Sequence, residues 1–200
     1  MESMEIMKRT IIYNDLRDVK LIKNLNFYDQ RGFFKKLFSK KNFFFLKNNF
    51  VKEVSLSLTK KIGTIRGLHF QFSPSCEDKI VYCLEGKIFD VALDIRKKSK
   101  SFLKHKWFLL DSKKNNCLFI PKGFAHGFQS IKKNCKVLYI MSANYDLKKQ
   151  GRIFPMDSTL NIKWPIKIKY ISKLDKNAKK ITNNFVNTLK KKSIYECFKK

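Results

Sequence analysis

A cation and an imidazole lie three residues apart in the segment 64–71, Thr-Ile-Arg-Gly-Leu-His-Phe-Gln. Arg66 could hold an anion, and His69 could move a proton near neutral pH, because an unperturbed imidazole titrates at about 6.5. In a regular strand the two side chains would project from opposite faces, since side chains alternate with period 2. Gly67 relaxes that rule. A glycine inside a strand often marks a bulge or a close approach of two backbones, and either would let Arg66 and His69 share one cavity. The competing reading is a core strand with one hydrogen-bonded histidine. A second imidazole, His126, follows a turn at 121–123 in Pro-Lys-Gly-Phe-Ala-His-Gly-Phe and opens another strand, where a residue at a cavity mouth would sit. His105, between Lys104 and Lys106, is expected to be exposed and without a role. The chain has three histidines and none neighbours another, so no metal site is expected.

The elements that must position these groups read as short strands joined by turns. Residues 19–25 suit a first strand, and Asp29-Gln30-Arg31-Gly32 suits a turn into a second at 33–38; residues 40–49 read as a loop or helical turn. Val54, Leu56 and Leu58 alternate with Ser55, Ser57 and Thr59, the pattern of a half-buried strand. Residues 79–84 and 87–95 read as two strands joined by Glu85-Gly86 as a tight hairpin. Asp90, Ala92 and Asp94 share one face of the second, and Phe89, Val91, Leu93 and Ile95 the other. Further strands are expected at 107–110, 117–120, 125–130 and 136–143. Beyond 144 the pattern loosens, with 172–175 extended or turning and a helix expected over 177–192 from the spacing of Ile181, Phe185 and Leu189. Such closely spaced strands argue for an all-β fold, and we favour a jelly roll. The expected division is a domain of residues 1–176 followed by a helix and basic tail at 177–200.

Composition narrows the function. The 200 residues carry a net charge of +28, yet 38 of the cations are lysines and only 6 are arginines. The lysines are scattered as pairs and triplets along the chain, whereas a nucleic-acid reader relies on arginine forks for phosphates and bases. We therefore expect a solvated basic surface and no nucleic-acid partner. An apolar share of 44% with 19 phenylalanines indicates a folded core. No stretch approaches the roughly 18 uncharged apolar residues of a membrane span, and no signal peptide is read at the start. Five cysteines without a C-x-x-C pair suggest free thiols and a cytoplasmic location.

Four segments together resemble the signature of the dTDP-4-dehydrorhamnose 3,5-epimerase family: Arg31-Gly32-Phe33-Phe34; Ile65-Arg66-Gly67-Leu68-His69-Phe70-Gln71; Phe89-Asp90-Val91-Ala92-Leu93-Asp94-Ile95-Arg96; and Ile120-Pro121-Lys122-Gly123-Phe124-Ala125-His126-Gly127-Phe128. They occur in the family's order and spacing over residues 19–175. The resemblance implies a cupin-type jelly-roll barrel with a short helical C-terminal segment. It also implies a homodimer, and epimerisation of a nucleotide-sugar substrate, a 4-keto-6-deoxyhexose, at carbons 3 and 5 without metal or organic cofactor. By the same resemblance His69 is the base, Asp175 orients it, Lys79 stabilises the enolate oxygen and Tyr139 is the proton donor on the opposite face. Arg66, His126, Gln71 and, from a neighbouring subunit, Arg31 match substrate-binding positions.

The chain departs from that pattern at Lys36 and Gln150, where the family usually has glutamate, at Leu174, where it often has lysine, and around Glu53, Val54 and Ser55. All these positions concern recognition of the nucleotide and phosphates. Two alternatives stay open at this stage: an epimerase acting on one carbon of a related nucleotide sugar, and a sugar-nucleotide-binding cupin without catalysis.

Overall fold

The computed structural model describes residues 10–12, 16, 18–24, 26–46 and 50–191. In chain order these form β1 (Thr10–Ile12), β2 (Lys20–Lys23), β3 (Asn26–Asp29), β4 (Gly32–Lys35), a 3₁₀ turn at Lys40–Phe43, β5 (Glu53–Thr59), β6 (Thr64–Gln71) and β7 (Lys79–Glu85). They continue with β8 (Lys87–Asp94), β9 (His105–Asp111), β10 (Asn116–Ile120), β11 (Phe124–Ser130), β12 (Cys135–Met141), β13 (Gln150–Arg152), β14 (Tyr170–Ile171), α1 (Lys173–Lys176) and α2 (Asn183–Lys191). One sheet has the order β1-β2-β10-β7-β12-β5; the other runs β13-β6-β11-β8-β9, with β14 beside β6; the β3-β4 hairpin stands apart.

From β5 to β13 each strand lies in the sheet opposite its predecessor, except β9, which pairs with β8. That alternation makes the jelly roll, and it corrects the expected hairpin at Glu85-Gly86. β7 pairs with β10 and β12, while β8 pairs with β9 and β11. Gly86 instead carries the chain between sheets. It has φ +82, and a Cβ there would sit 2.7 Å from Cys135 Sγ, so the crossing needs a residue without a side chain.

Three apolar clusters hold the layers. Val81, Leu118 and Val137 of the first sheet meet Ala92, Leu110 and Phe128 of the second in the interior. The outer face of the second sheet, with Leu68, Phe70, Val91 and Leu93, is covered by Leu160, Phe185 and Leu189 from the C-terminal part of the chain. The outer face of the first sheet, with Ile22, Ile80 and Phe119, is covered by Phe43 and Phe50.

β5 inverts the simplest reading of its pattern. Ser55 and Ser57 face a cavity, while Val54, Leu56 and Leu58 face outward and are 57%, 61% and 43% exposed. β5 is the last strand of its sheet, and its apolar side has no covering layer among the described residues. The C-terminal helix is shorter than expected and begins at Asn183, because backbone bonding ties the preceding stretch to β13's continuation: Lys179 bridges Ile153 and its carbonyl accepts from Phe154. Thr182 then caps α2, its Oγ1 accepting from Phe185 N–H at 3.2 Å.

The stretch 172–175, expected extended or turning, leads into the single-turn helix α1 (Lys173–Lys176), capped by Ser172, whose side chain accepts from Asp175 N–H. His105 is half-buried rather than exposed. Cys83, Cys117 and Cys135 are free thiols, but Cys76 is disulfide-bonded, contrary to the reading of all five as free. Of the tail, residues 192–200 lie outside the described residues. No helix among the described residues is long and apolar enough to cross a membrane.

Candidate active site

Gly67 creates the site. It has φ +116, and a Cβ on it would fall 2.5 Å from Gly127 Cα and 2.7 Å from the carbonyl oxygen of His126. The β6 and β11 backbones therefore touch where both strands carry glycine. The register slips at the same point: His126 pairs with His69 and Phe128 with Arg66, so two steps on β11 oppose three on β6. One extra residue returns Arg66 and His69 to a common face. Both line a cavity of about 690 Å³ between the two sheets, together with Ser57, Lys79, His126 and Tyr139.

His69 Nε2 lies 2.6 Å from Asp175 Oδ1. The carboxylate is buried, 3% exposed, and also accepts from Gly67 N–H at 3.4 Å. α1 positions it, because the Ser172 cap fixes the first turn on which Asp175 stands. Burial lowers the pKa of His69 below the usual imidazole value; the hydrogen bond and charge of Asp175 oppose this, and the positive charges of Arg152 and Lys79 add to it. Burial pushes Asp175 up, but hydrogen bonds and charge from His69, with Arg152 and Gly67 N–H, bring it down to about 2. The pair is thus a neutral imidazole held by an ionised carboxylate at neutral pH. Its other ring nitrogen, Nδ1, has no hydrogen-bond partner among the described residues.

Tyr139 enters the same cavity from β12, in the other sheet. Its hydroxyl has Ser57 Oγ at 3.5 Å, and its ring meets His126 edge-on with centroids 6.1 Å apart. Burial raises its pKa above the ordinary phenol value, despite the hydrogen bond to Ser57, so the phenol keeps its proton. Lys79 is only 6% exposed, and its ammonium lies 2.7 Å from Glu77 Oε1. A cation held this way suits an oxygen that develops negative charge. His126 Nε2 is held 2.9 Å from each carboxylate oxygen of Asp90. Arg66 Nε donates to Thr59 Oγ1 at 2.9 Å and Nη2 to the Leu58 carbonyl at 3.1 Å, leaving Nη1 for a ligand.

Two expected substrate-binding residues lie elsewhere in the chain. Gln71 is buried, and its amide joins loops: Nε2 donates to the Ser75 and Asn144 carbonyls and to Glu77, and Oε1 accepts from Asp146 N–H. Arg31 sits at the exposed tip of the β3-β4 hairpin, paired with Asp29 at 2.6 Å, and does not line this chain's cavity. The structure adds residues that the sequence reading missed. Arg152 reaches both His69 and Asp175 at 2.7 Å. Glu77 and Asp90 anchor Lys79 and His126, and the half-exposed ring of Tyr145 stands at the rim. The available signals were weak: Arg152 is one of six arginines, Glu77 lies in the loop two residues before Lys79, and Asp90 lies in a recognised motif. No group of three potential metal ligands occurs among the described residues.

Comparison with known proteins gives the same direction. The family model described as dTDP-4-dehydrorhamnose 3,5-epimerase matches residues 13–183. The enzyme of that name from Shigella flexneri is 35% identical over 176 residues, covering 86% of this chain and 96% of the relative. That from Sinorhizobium fredii is 37% identical, covering 78% and 80%. Among solved structures, the dTDP-4-dehydrorhamnose 3,5-epimerase of Bacillus anthracis with TDP and PPi bound superposes with a TM-score of 0.82 at 31% identity, covering 86% of this chain and 99% of that one. The Legionella pneumophila dTDP-6-deoxy-D-glucose-3,5-epimerase in complex with dTDP-4-keto-L-rhamnose gives 0.82 at 31%, covering 90% and 93%. With its motifs, jelly roll and near-complete match in agreement, the chain belongs to the dTDP-4-dehydrorhamnose 3,5-epimerase family.

Proposed function

We propose that this chain epimerises dTDP-4-dehydro-6-deoxyglucose at carbons 3 and 5 to dTDP-4-dehydrorhamnose, with His69 as base and Tyr139 as acid. One observation carries the assignment of roles: the Asp175-held imidazole of His69 and the protonated phenol of Tyr139 enter one cavity from different sheets. A hydrogen beside the C4 ketone is acidic because the electron pair left behind spreads onto the ketone oxygen. His69 takes that proton on Nδ1, Asp175 stabilises the imidazolium, and the Lys79 ammonium stabilises the enolate oxygen. Tyr139 then delivers a proton to the opposite face of the carbon and the ketone re-forms with inverted configuration. Arg66 and His126 hold the diphosphate and sugar, an arginine fork being suited to phosphate oxygens.

The same reading assigns the outward apolar stripe of Val54, Leu56 and Leu58, and the exposed hairpin residues Tyr28, Phe33 and Phe34, to contact with a second copy of the chain. That copy would supply Arg31 to the cavity. A cytoplasmic location belongs to this reading as well.

The test is proton exchange. In deuterated water the purified protein is expected to introduce deuterium at carbons 3 and 5 of the substrate, and His69→Ala is expected to slow this by about 10² to 10⁴. Absence of exchange at both carbons rules the activity out, and exchange at one carbon alone identifies a one-carbon epimerase.

A further inference from the structure

Three polar atoms from three elements meet beside the base. Arg152 Nη1, on β13, is 2.7 Å from both His69 Nε2 and Asp175 Oδ1, and those two are 2.6 Å apart. Arg152 is held in this position by Nη2, which donates to Gln150 Oε1 at 2.6 Å; the same oxygen accepts from the Tyr145 hydroxyl at 3.0 Å.

The triangle cannot be satisfied on all sides at once. An imidazole nitrogen has either a proton or a lone pair. With a proton, Nε2 donates to Asp175 but meets the guanidinium N–H head on. Without one, it accepts from Arg152 but sets its lone pair against the carboxylate. A guanidinium stays protonated throughout, so its charge weighs against the imidazolium in every arrangement, while its hydrogen bond to Asp175 uses part of the carboxylate that would stabilise that imidazolium.

We propose that Arg152 is a positioning residue that holds down the proton affinity of His69, and that neutral Gln150 leaves the charge of Arg152 free to do so. The inference rests on the reading of His69 as base. Its mechanistic sense is return of the proton: a base that must work at two carbons has to be reset between them, and a neighbouring cation speeds its deprotonation. Besides Arg152, the groups facing His69 are Asp175 on α1, Lys79 on β7 with its partner Glu77, Tyr139 on β12, Glu53 on β5, and His126 opposite it on β11. Arg66, on β6 itself, lines the same cavity but is turned toward Thr59 and the Leu58 carbonyl, and Lys79 has Glu77 2.7 Å from its ammonium. Arg152 is the cation in direct contact with the ring.

The chain has three histidines, so the titration of His69 can be followed by NMR in the intact protein and assigned with a His69→Asn variant. Arg152→Gln, which removes the charge, is expected to raise the midpoint of His69 by about one unit. Arg152→Lys, which keeps the charge, is expected to leave the midpoint nearly in place while lowering the rate of exchange, because the fork is lost. Gln150→Glu places a carboxylate on the guanidinium and is expected to raise the midpoint as well; it decides the matter if Arg152→Gln does not fold. An unchanged or lowered midpoint in the folded charge-removing variant, or in Gln150→Glu in its place, overturns the proposal. The titration needs no substrate, so failure of the epimerase reading would appear separately, as no deuterium uptake in the parent protein.

Discussion

On the proposed assignment, His69 and Asp175 set the pH behaviour of the site. Burial holds His69 below its usual value, opposed by Asp175, so the base is already neutral below about pH 6.5. The exchange rate is therefore expected to rise with pH through a midpoint under about 6.5 and stay level toward alkaline pH. Tyr139 is raised above the ordinary phenol value by burial, so no fall is expected before about pH 10. A rate profile with an alkaline limb near neutrality would contradict these assignments. Stability has a related dependence. Because His69 binds its proton less readily when folded, the unfolded chain takes it up first, and this residue costs stability as pH falls below about 6.5. Asp175 has the depressed value of about 2; its contribution is full above the ordinary carboxylate value of about 3.9 and is lost as pH falls toward the folded value. Tyr139→Phe is expected to separate the two faces. Deuterium should still enter through His69 with retention, while inversion slows by about 10² or more, as read from NMR of the sugar.

At the scale of the element, the site depends on the pinch between β6 and β11. Gly67→Ala places a methyl 2.5 Å from Gly127 Cα at φ +116, and is expected to lower stability by about 1–3 kcal/mol or more in denaturant titration. A variant as stable as the parent would show that the strands part easily. Much of this element was legible in the sequence, because a glycine between two chemically useful residues of a strand is a local signal. The hairpin expected at Glu85-Gly86 was not legible. A strand's period fixes which residues share a face but not which strand lies alongside, and a turn between sheets resembles a turn within one. Which side of β5 faces inward was not legible for a similar reason. Apolar-inward is the rule for a packed core, and nothing local reveals that the inside at Ser55 and Ser57 is a polar cavity. Arg152 escaped because β13 has three residues, too few to show a pattern.

The whole molecule is tied together by its C-terminal part. Phe185 and Leu189 are 4% and 1% exposed and pack with Leu68 and Phe70 of the site-bearing strand in one cluster. Phe185→Ala is expected to cost about 3–5 kcal/mol, measured as a shift in the unfolding midpoint, and to loosen the back of β6. Association of two copies has its own test. Arg31→Ala and His69→Ala are each expected to be nearly inactive, yet mixing them should restore activity, because a mixed dimer holds one cavity with both native residues. Failure to recover activity after subunit exchange would show that Arg31 does not serve the cavity of a neighbouring copy. The fold class was legible because regular strand spacing over the whole chain constrains architecture even where individual pairings are wrong.

His69 and Tyr139 hang from separate sheets, so the distance a substrate must fit between them is the thickness of the filling that keeps those sheets apart. Val81, Val137, Leu118 and Phe128 thus act as spacers in a pair of callipers. Adding or removing one methyl group at Val81, Val137 or Leu118 would widen or narrow the jaws and retune the transfer of hydrogen, although none of these three side chains lines the cavity.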